Sequence, residues 1–532
     1  MESHRAVSTA TVPVRAARAA PLVFLAVFFA WPVVSMLAGH LRPGAVADVV
    51  TDASLRGVAW FTLWQAVAST VLSLAVGLPL TWALSRWTFR GARLLAALAT
   101  VPFLMPAAVM ATGVAALLPS RGIPAVLWAH TAFNVAVVLR VVGPTWAMID
   151  RAQEESAASL GATHLRVFAD VTWPAISGAM RGAASLVFAF CFASFAVVSI
   201  LGGPGVRTIE TEVFTQAVRL GDTRTAVALT FVQALVVLGV LAIGRRGGTD
   251  AIESLEITGA RHVSERMRGR RLPAVVAVVC SAVVTAPMVA VAWRSVRLDG
   301  RWTLVGFRAL FDGSLEGAGV DIAAAALNSL WFAALTVAIT VPLALLACRR
   351  HRAGLAERLS VAPLLVSAVT LGLGIIITFD SAPFDWRGKW WLLPVIHAVI
   401  ALPLAVRVIG PALRGIGTEL LESAADLGAG PLRTWRSVQL PLLAPALARA
   451  AGISAAVSLG EFGATSFLTR GDTKTVPIVI GELMGRPGPL LQQSAFAIAT
   501  LILSVFSLGP TTVLLVCGSQ DRTGRGSHPS CS

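Results

Sequence analysis

Tyrosine is absent from the 532 residues, and lysine occurs only at Lys389 and Lys474. A phosphate-binding loop of the Walker type needs glycine-rich backbone followed by a lysine. Neither lysine follows such glycines, so the chain carries no nucleotide engine of that kind. Charge is scarce as well: 13% of residues are charged and 56% are hydrophobic, whereas soluble domains average about 25% charged. This excludes an ordinary soluble domain and marks an integral membrane protein. The five cysteines, at 191, 280, 348, 517 and 531, are scattered without a C-x-x-C pair, so neither a disulfide framework nor a metal site is expected. The eight histidines show no H-E-x-x-H or other tight ligand spacing. No run of short alternating strands suggests a barrel.

Long apolar runs are present instead. A spanning helix needs about 20 residues, and twelve runs qualify, near 21–39, 59–84, 93–117, 124–147, 183–203, 225–244, 273–293, 325–348, 359–378, 391–412, 445–466 and 495–517. Backbone groups cannot stay unpaired in lipid, so these runs read as helices and the fold as all-α. The first run follows Arg5, Arg15 and Arg18 but lacks a small-x-small cleavage end, so it reads as a retained span. An even span count with both termini inside places 28 of the 43 Lys and Arg on the inner face and divides the 28 acids evenly. That bias orients the chain in a cell membrane with cytoplasmic ends and accounts for the net charge of +15 without nucleic acid. Inner arginines can also meet anionic lipid headgroups. Tryptophan takes the interfacial place of tyrosine, as at Trp390 and Trp391.

The chain repeats itself. ESAASLGATHLRVFADVTWP at 155–174 and ESAADLGAGPLRTWRSVQLP at 422–441 share eleven of twenty positions, 267 residues apart. At that offset His130 matches His397, Arg140 matches Arg407, Gly143–Pro144 matches Gly410–Pro411, and Thr208 matches Thr475. Both copies fall between an even and an odd span, so the repeat is parallel, with six spans in each half and an interface suited to a substrate route. The reading divides the chain into a tail at 1–20, a half at 21–244, a linker at 245–272 with seven arginines at 245–271, a half at 273–517 and a tail at 518–532. Each copy reads as a short helix opened by Glu155 or Glu422, where an acid suits the dipole, and ended at Gly161 or Gly428. A second helical piece follows, and Pro174 or Pro441 opens the next span. The loops, near 151–174 and 418–441, face the cytoplasm. Small residues Ala157, Ala158, Ala424 and Ala425 would let another protein approach the backbone, with Glu155, Arg166, Glu422 and Arg433 giving the contact direction. An amphipathic helix resting on lipid is the plainer alternative.

The pattern E-S-A-A-x-L-G, about a dozen residues before a Pro, resembles the EAA loop of type I ABC importer permeases of the MetI-like class. The Glu-to-Gly spacing is one residue shorter than that family's written pattern. Two loops on one chain resemble the fused permeases of thiamine-type and ferric-iron-type importers, over most of 55–517. The resemblance implies a core of about five spans per half plus a flanking span. It also implies a short coupling helix docked on a separate cytoplasmic ATPase, in two copies, which holds ATP and Mg, and an external protein that delivers the solute. Glu155, Gly161, Glu422 and Gly428 match the signature positions.

After each loop the stretches CFASFAVVSILGGPGVRTIETEVF (191–214) and SLGEFGATSFLTRGDTKTVPIV (458–479) occupy equivalent places. The first resembles the thiamine-type permeases; LGEFGA resembles a run among oxyanion and metal permeases. Glu461, opposite Ser194, is the one acid placed near a span interior. Intramembrane acids default to function, so Glu461, Ser194 and the bracketing Gly460 and Gly463 are expected on a translocation pathway, with local unwinding at the glycines. The plain alternative is an acid at a helix end. Arg207 and Lys474 are candidates for the outer partner or ordinary loop charges. His130 and His397 read as a structural pair, with a proton or substrate role as the alternative. No catalytic residue is expected. Against the permease reading stand an ion-coupled secondary transporter with parallel repeats and a membrane-embedded transferase, which would need clustered acids at one surface.

Overall fold

The computed structural model describes residues 19–118, 120–245, 267–268, 271–349, 353–380 and 383–523, with backbone alone from 508 onward. The N-terminal tail up to 18, nearly all of the linker and residues 524–532 lie outside the described residues.

Among the described residues, ten helices are long and apolar enough to cross a membrane, and twelve spans result if each of two bent helix pairs counts once. Seven spans begin and end near the sequence reading. The other five differ from it. The runs at 93–117 and 359–378 are not straight spans but helix pairs, Ala92–Phe103 with Ala107–Leu117 and Leu355–Leu365 with Ala368–Phe379, bent by 107° and 101°. The first bend falls at Met105, extended ahead of Pro106, where the following proline disfavours helix. At the second, Val366 is extended and the Ser367 hydroxyl caps the new helix by accepting from the Thr370 amide at 3.0 Å. The last span starts earlier than read, at Pro489.

The remaining two corrections concern 183–203 and 445–466. Both spans start well upstream, as His164–Phe192 and Pro431–Gly460, and both stop early. The second helical piece of each repeated segment is therefore the head of the span itself. A proline lacks the N–H that continues a helix, yet neither Pro174 nor Pro441 marks the start. Each follows a widened turn, Phe168–Thr172 and Trp435–Gln439, closed by i→i+5 bonds from Trp173 N–H to Phe168 and from Leu440 N–H to Trp435. The wide turn absorbs the missing donor, and the helix runs through.

The chain packs as two units, and neither is a contiguous half of the repeat. One comprises Met1–Ala59, Thr208–Leu238 and Ile322–Ile478; the other comprises Trp60–Arg207, Gly239–Asp321 and Val479–Ser532. In the former, Leu402, Ala405, Val406 and Ile409 pack with Ala344, Leu443, Ala450 and Leu25 of the first span. Phe28, Trp31, Phe379, Phe384, Trp386 and Trp391 form an aromatic cluster in the same unit, with Phe379 stacked on Trp386 at 4.8 Å. In the latter, Leu80, Ala83, Val135, Ala277 and Val284 share a core. Gly113 there abuts Pro287 so closely that a β-carbon would lie 2.5 Å from its carbonyl oxygen. Gly374 meets Pro32 of the first span in the corresponding way, at 3.1 Å. Small residues let membrane helices approach at backbone distance. The first span of each sequence half thus belongs to the unit built mainly from the other half.

Candidate functional site

The repeated segments fold alike. Arg151–Ser159 and Thr418–Asp426 are short helices. Asp150 caps the first by accepting from the Ala152 amide at 2.9 Å. Each helix starts four residues ahead of the signature glutamate, which corrects the expectation that Glu155 and Glu422 sit at the dipole end; Glu154 and Glu419 occupy the first turn instead. Glu155 pairs with Arg151 at 2.6 Å on the exposed surface.

Both helices end on a left-handed glycine, Gly161 at φ +86° and Gly428 at φ +77°. The amide of Gly161 donates to Ala158 and that of Ala162 to Ala157, at 3.0 and 3.1 Å. Gly428 and Ala429 donate to Ala425 and Ala424 at 2.8 and 2.9 Å. This is the paired closure that satisfies the last carbonyls of a helix. The repeated Ala-Ala pair therefore supplies the two acceptors. Sequence reasoning missed the outward apolar groups. Leu160 is 90% exposed and its counterpart Leu427 is 88% exposed, with Leu165 and Leu432 also open. The repeat of Leu at matching positions was the available signal. Arg166 and Arg433 are exposed beside them.

The structure also breaks both spans after the loops at matching places. The first ends at Phe192, with Ala193 as its cap, and resumes as Ala196–Leu201. The second ends at Gly460 and resumes as Gly463–Leu468, so the unwinding expected between those glycines is present. Ser194 and Glu461 sit in the breaks; Ser194 is hydrogen-bonded to His130, and Glu461 lies near His397. His130 bridges Ser69 at 3.1 Å and Ser194 at 2.8 Å. His397 bridges Ser458 at 2.8 Å and Thr465 at 3.0 Å, and lies 3.7 Å from Glu461. Glu461 is buried, and its carboxylate accepts from the amides of Ala464 and Thr465 at 2.9 and 2.8 Å and from the Thr465 hydroxyl. It caps the resumed helix. It is also not the one enclosed acid: Glu210 and Glu212, on Ile209–Phe214 beyond the first break, are buried as well.

No family model matches the sequence. Curated relatives span nearly its whole length. It is 27% identical over 508 residues to the thiamine transport system permease protein of Brucella abortus, covering 90% of this chain and 91% of the relative. It is 25% identical to the thiamine transport system permease protein of Salmonella typhimurium, covering 87% and 90%. A probable ABC transporter permease protein of Sinorhizobium fredii matches at 25% over 92% and 91%. The chain is an ABC importer permease.

Two groups in the permease escaped sequence reasoning. Arg86 ends the helix Ala53–Arg86 and is buried. It donates to the Ile149 carbonyl at 2.7 Å and pairs with Glu154 of the first loop helix, whose other oxygen accepts from Thr172 at 2.9 Å. Nothing in the spacing links 86 to 154. Glu210 accepts from Gln233 through one oxygen, while its Oε2 has no partner within hydrogen-bond distance among the described residues. Burial pushes its carboxyl up to about 7, and the Gln233 donor offsets part of the rise. Outside these groups, Arg207 is exposed, and Lys474 is half-buried with its carbonyl accepting from Asn328 at 3.1 Å.

Proposed function

We propose that this permease moves a small organic solute inward, thiamine in the first place, and that its two loop helices seat a separate ATP-binding-cassette ATPase. One observation carries the docking reading: Leu160 and Leu427 stand almost fully exposed at the same point of the two loops, with Leu165 and Leu432 open beyond them. Burying a leucine side chain is worth about 1.5–3 kcal/mol, so an identical pair of exposed leucines fits a partner with two matching clefts. Glu155, Gly161, Arg166, Glu422, Gly428 and Arg433 flank them as the directing groups. The ATPase holds ATP and Mg, and the positive-inside bias places the loops and both termini in the cytoplasm.

The broken spans support a pathway at Ser194, Gly460, Glu461 and Gly463, since irregular backbone at membrane depth is tolerated where it lines a cavity or is buried in protein. An external binding protein would meet the opposite end, near Arg207 and Lys474. Thiamine is preferred over ferric iron because relatives that span the chain are named for thiamine transport.

Cysteine at Leu160 or Leu427 should cross-link to the ATPase, and Leu160→Asp with Leu427→Asp should abolish both ATPase co-purification and uptake while the chain still inserts. Uptake that persists without nucleotide hydrolysis would instead favour the ion-coupled transporter. Labelled thiamine, supplied with the binding protein, should accumulate inside. Background accumulation with the ATPase docked would remove thiamine alone.

A further inference from the structure

We infer that Gln65 and Asn134 form a hydrogen-bonding subsite for an amino group of the passing solute, close to the break at Ser194. The inference rests on the thiamine and pathway readings above. Both residues lie on membrane spans and are enclosed, Gln65 at 0% exposure and Asn134 at 2%. Their amide nitrogens converge on Cys191, near the end of the span that breaks before Ser194. Gln65 Nε2 donates to the Cys191 carbonyl at 2.9 Å and to the Thr62 carbonyl at 3.2 Å. Asn134 Nδ2 donates to the His130 carbonyl at 2.9 Å and to Cys191 Sγ at 3.3 Å. The two oxygens are left over: Gln65 Oε1 and Asn134 Oδ1 have no hydrogen-bond partner among the described residues. Turning either amide over would set its oxygen against a carbonyl acceptor, so the orientation is fixed. A buried amide oxygen at membrane depth is costly unless a donor reaches it.

The repeat separates this pair from the scaffold around it. The histidine bridges recur, His130 to Ser69 and Ser194 in one unit and His397 to Ser458 and Thr465 in the other. The amides do not recur. At the positions 267 residues on, Gln65 becomes Phe332 and Asn134 becomes Ala401, both buried. Apolar side chains fill those places in the second copy, so holding such spans together does not demand two amides. The donor they lack comes from outside the chain. Amide oxygens accept N–H or O–H and carry no net charge, so they orient a cationic solute without trapping it as a carboxylate would. The pyrimidine ring of thiamine bears an exocyclic amino group, which offers donors of this kind.

The test measures uptake into vesicles that hold the full permease with its ATPase. Thiamine and its analogue with oxo in place of the amino group are each loaded to saturation on the same binding protein. The ratio of their initial rates is then compared between the wild type and Gln65→Met with Asn134→Ala. Any preference of the binding protein cancels in that comparison. The substitutions should lower the thiamine-to-oxo ratio by about tenfold, the scale of one hydrogen bond left unmade. The analogue with pyridinium in place of thiazolium keeps the amino group, and its ratio to the oxo form should fall by the same factor. An equal loss for all three solutes, or an unchanged ratio, overturns the inference: the oxygens then serve packing or hold water only. Wild-type vesicles that take up no thiamine with the ATPase docked would remove the thiamine reading and this inference with it. Thiamine uptake with an unchanged ratio would remove the inference alone. Should the double variant not insert, Gln65→Met or Asn134→Ala singly carries the same expectation at smaller size.

Discussion

Single residues in this permease are held by neighbours that spacing does not reveal. Glu461 drew attention as an acid in an apolar run, and the structure shows what its charge does locally: it closes the first turn of a resumed helix. The histidine pair was legible as a pair, because His130 and His397 match across the repeat. Their shared task of gripping the two breaks was not, because Ser69 and Ser458 lie on different spans of their bundles. Glu210 was invisible as a buried acid, since its enclosure comes from distant helices. Its carboxyl titrates near 7 rather than near 4.5. The protonated form is the one favoured on folding, so its contribution to stability is complete below about 4.5 and is lost as pH rises through about 7. The thermal midpoint in detergent should fall between mildly acidic and mildly alkaline buffer. Glu210→Gln, which retains an acceptor for Gln233, should flatten that dependence. An unchanged slope in the variant would assign it to other groups.

At the scale of elements, the glycine stops of the two loops were readable, whereas their helix starts and outward leucines were not. Glycine at the stop, alanines before it and the recurrence of the whole phrase are local signals. The span starts were misread for an equally local reason. Proline is a good marker of a helix beginning, but a widened turn placed just before it lets the helix pass, and that turn has no sequence signature of its own. The bends at Met105 and Val366 were hidden inside runs of unbroken hydropathy. The glycine stops yield a direct expectation. Nothing lies within 4 Å of the β-carbon that Gly161 or Gly428 would carry, so substitution costs only the left-handed backbone, about 1–2 kcal/mol. Gly161→Asn should be close to neutral, whereas Gly161→Val should lower the thermal midpoint and reduce co-purified ATPase. Equal effects of Asn and Val would show that steric contact, not backbone angle, governs the site.

For the whole molecule, composition and periodicity were enough for an all-α membrane fold of about twelve spans, and the repeat for its doubling. They could not show which spans pack together, because that depends on close approaches such as Gly113 on Pro287 and Gly374 on Pro32. Those approaches carry a prediction. If the chain is severed within 245–272, the N-terminal fragment takes away the span that Gly374 needs, and the C-terminal fragment takes away the one that Gly113 needs. Each fragment expressed alone should be degraded or aggregate, and the two expressed together should purify as a complex. A monodisperse lone fragment would refute this. Each part of the duplicated gene product therefore keeps a piece of its sister hostage, and neither can be shed or exchanged independently of the other.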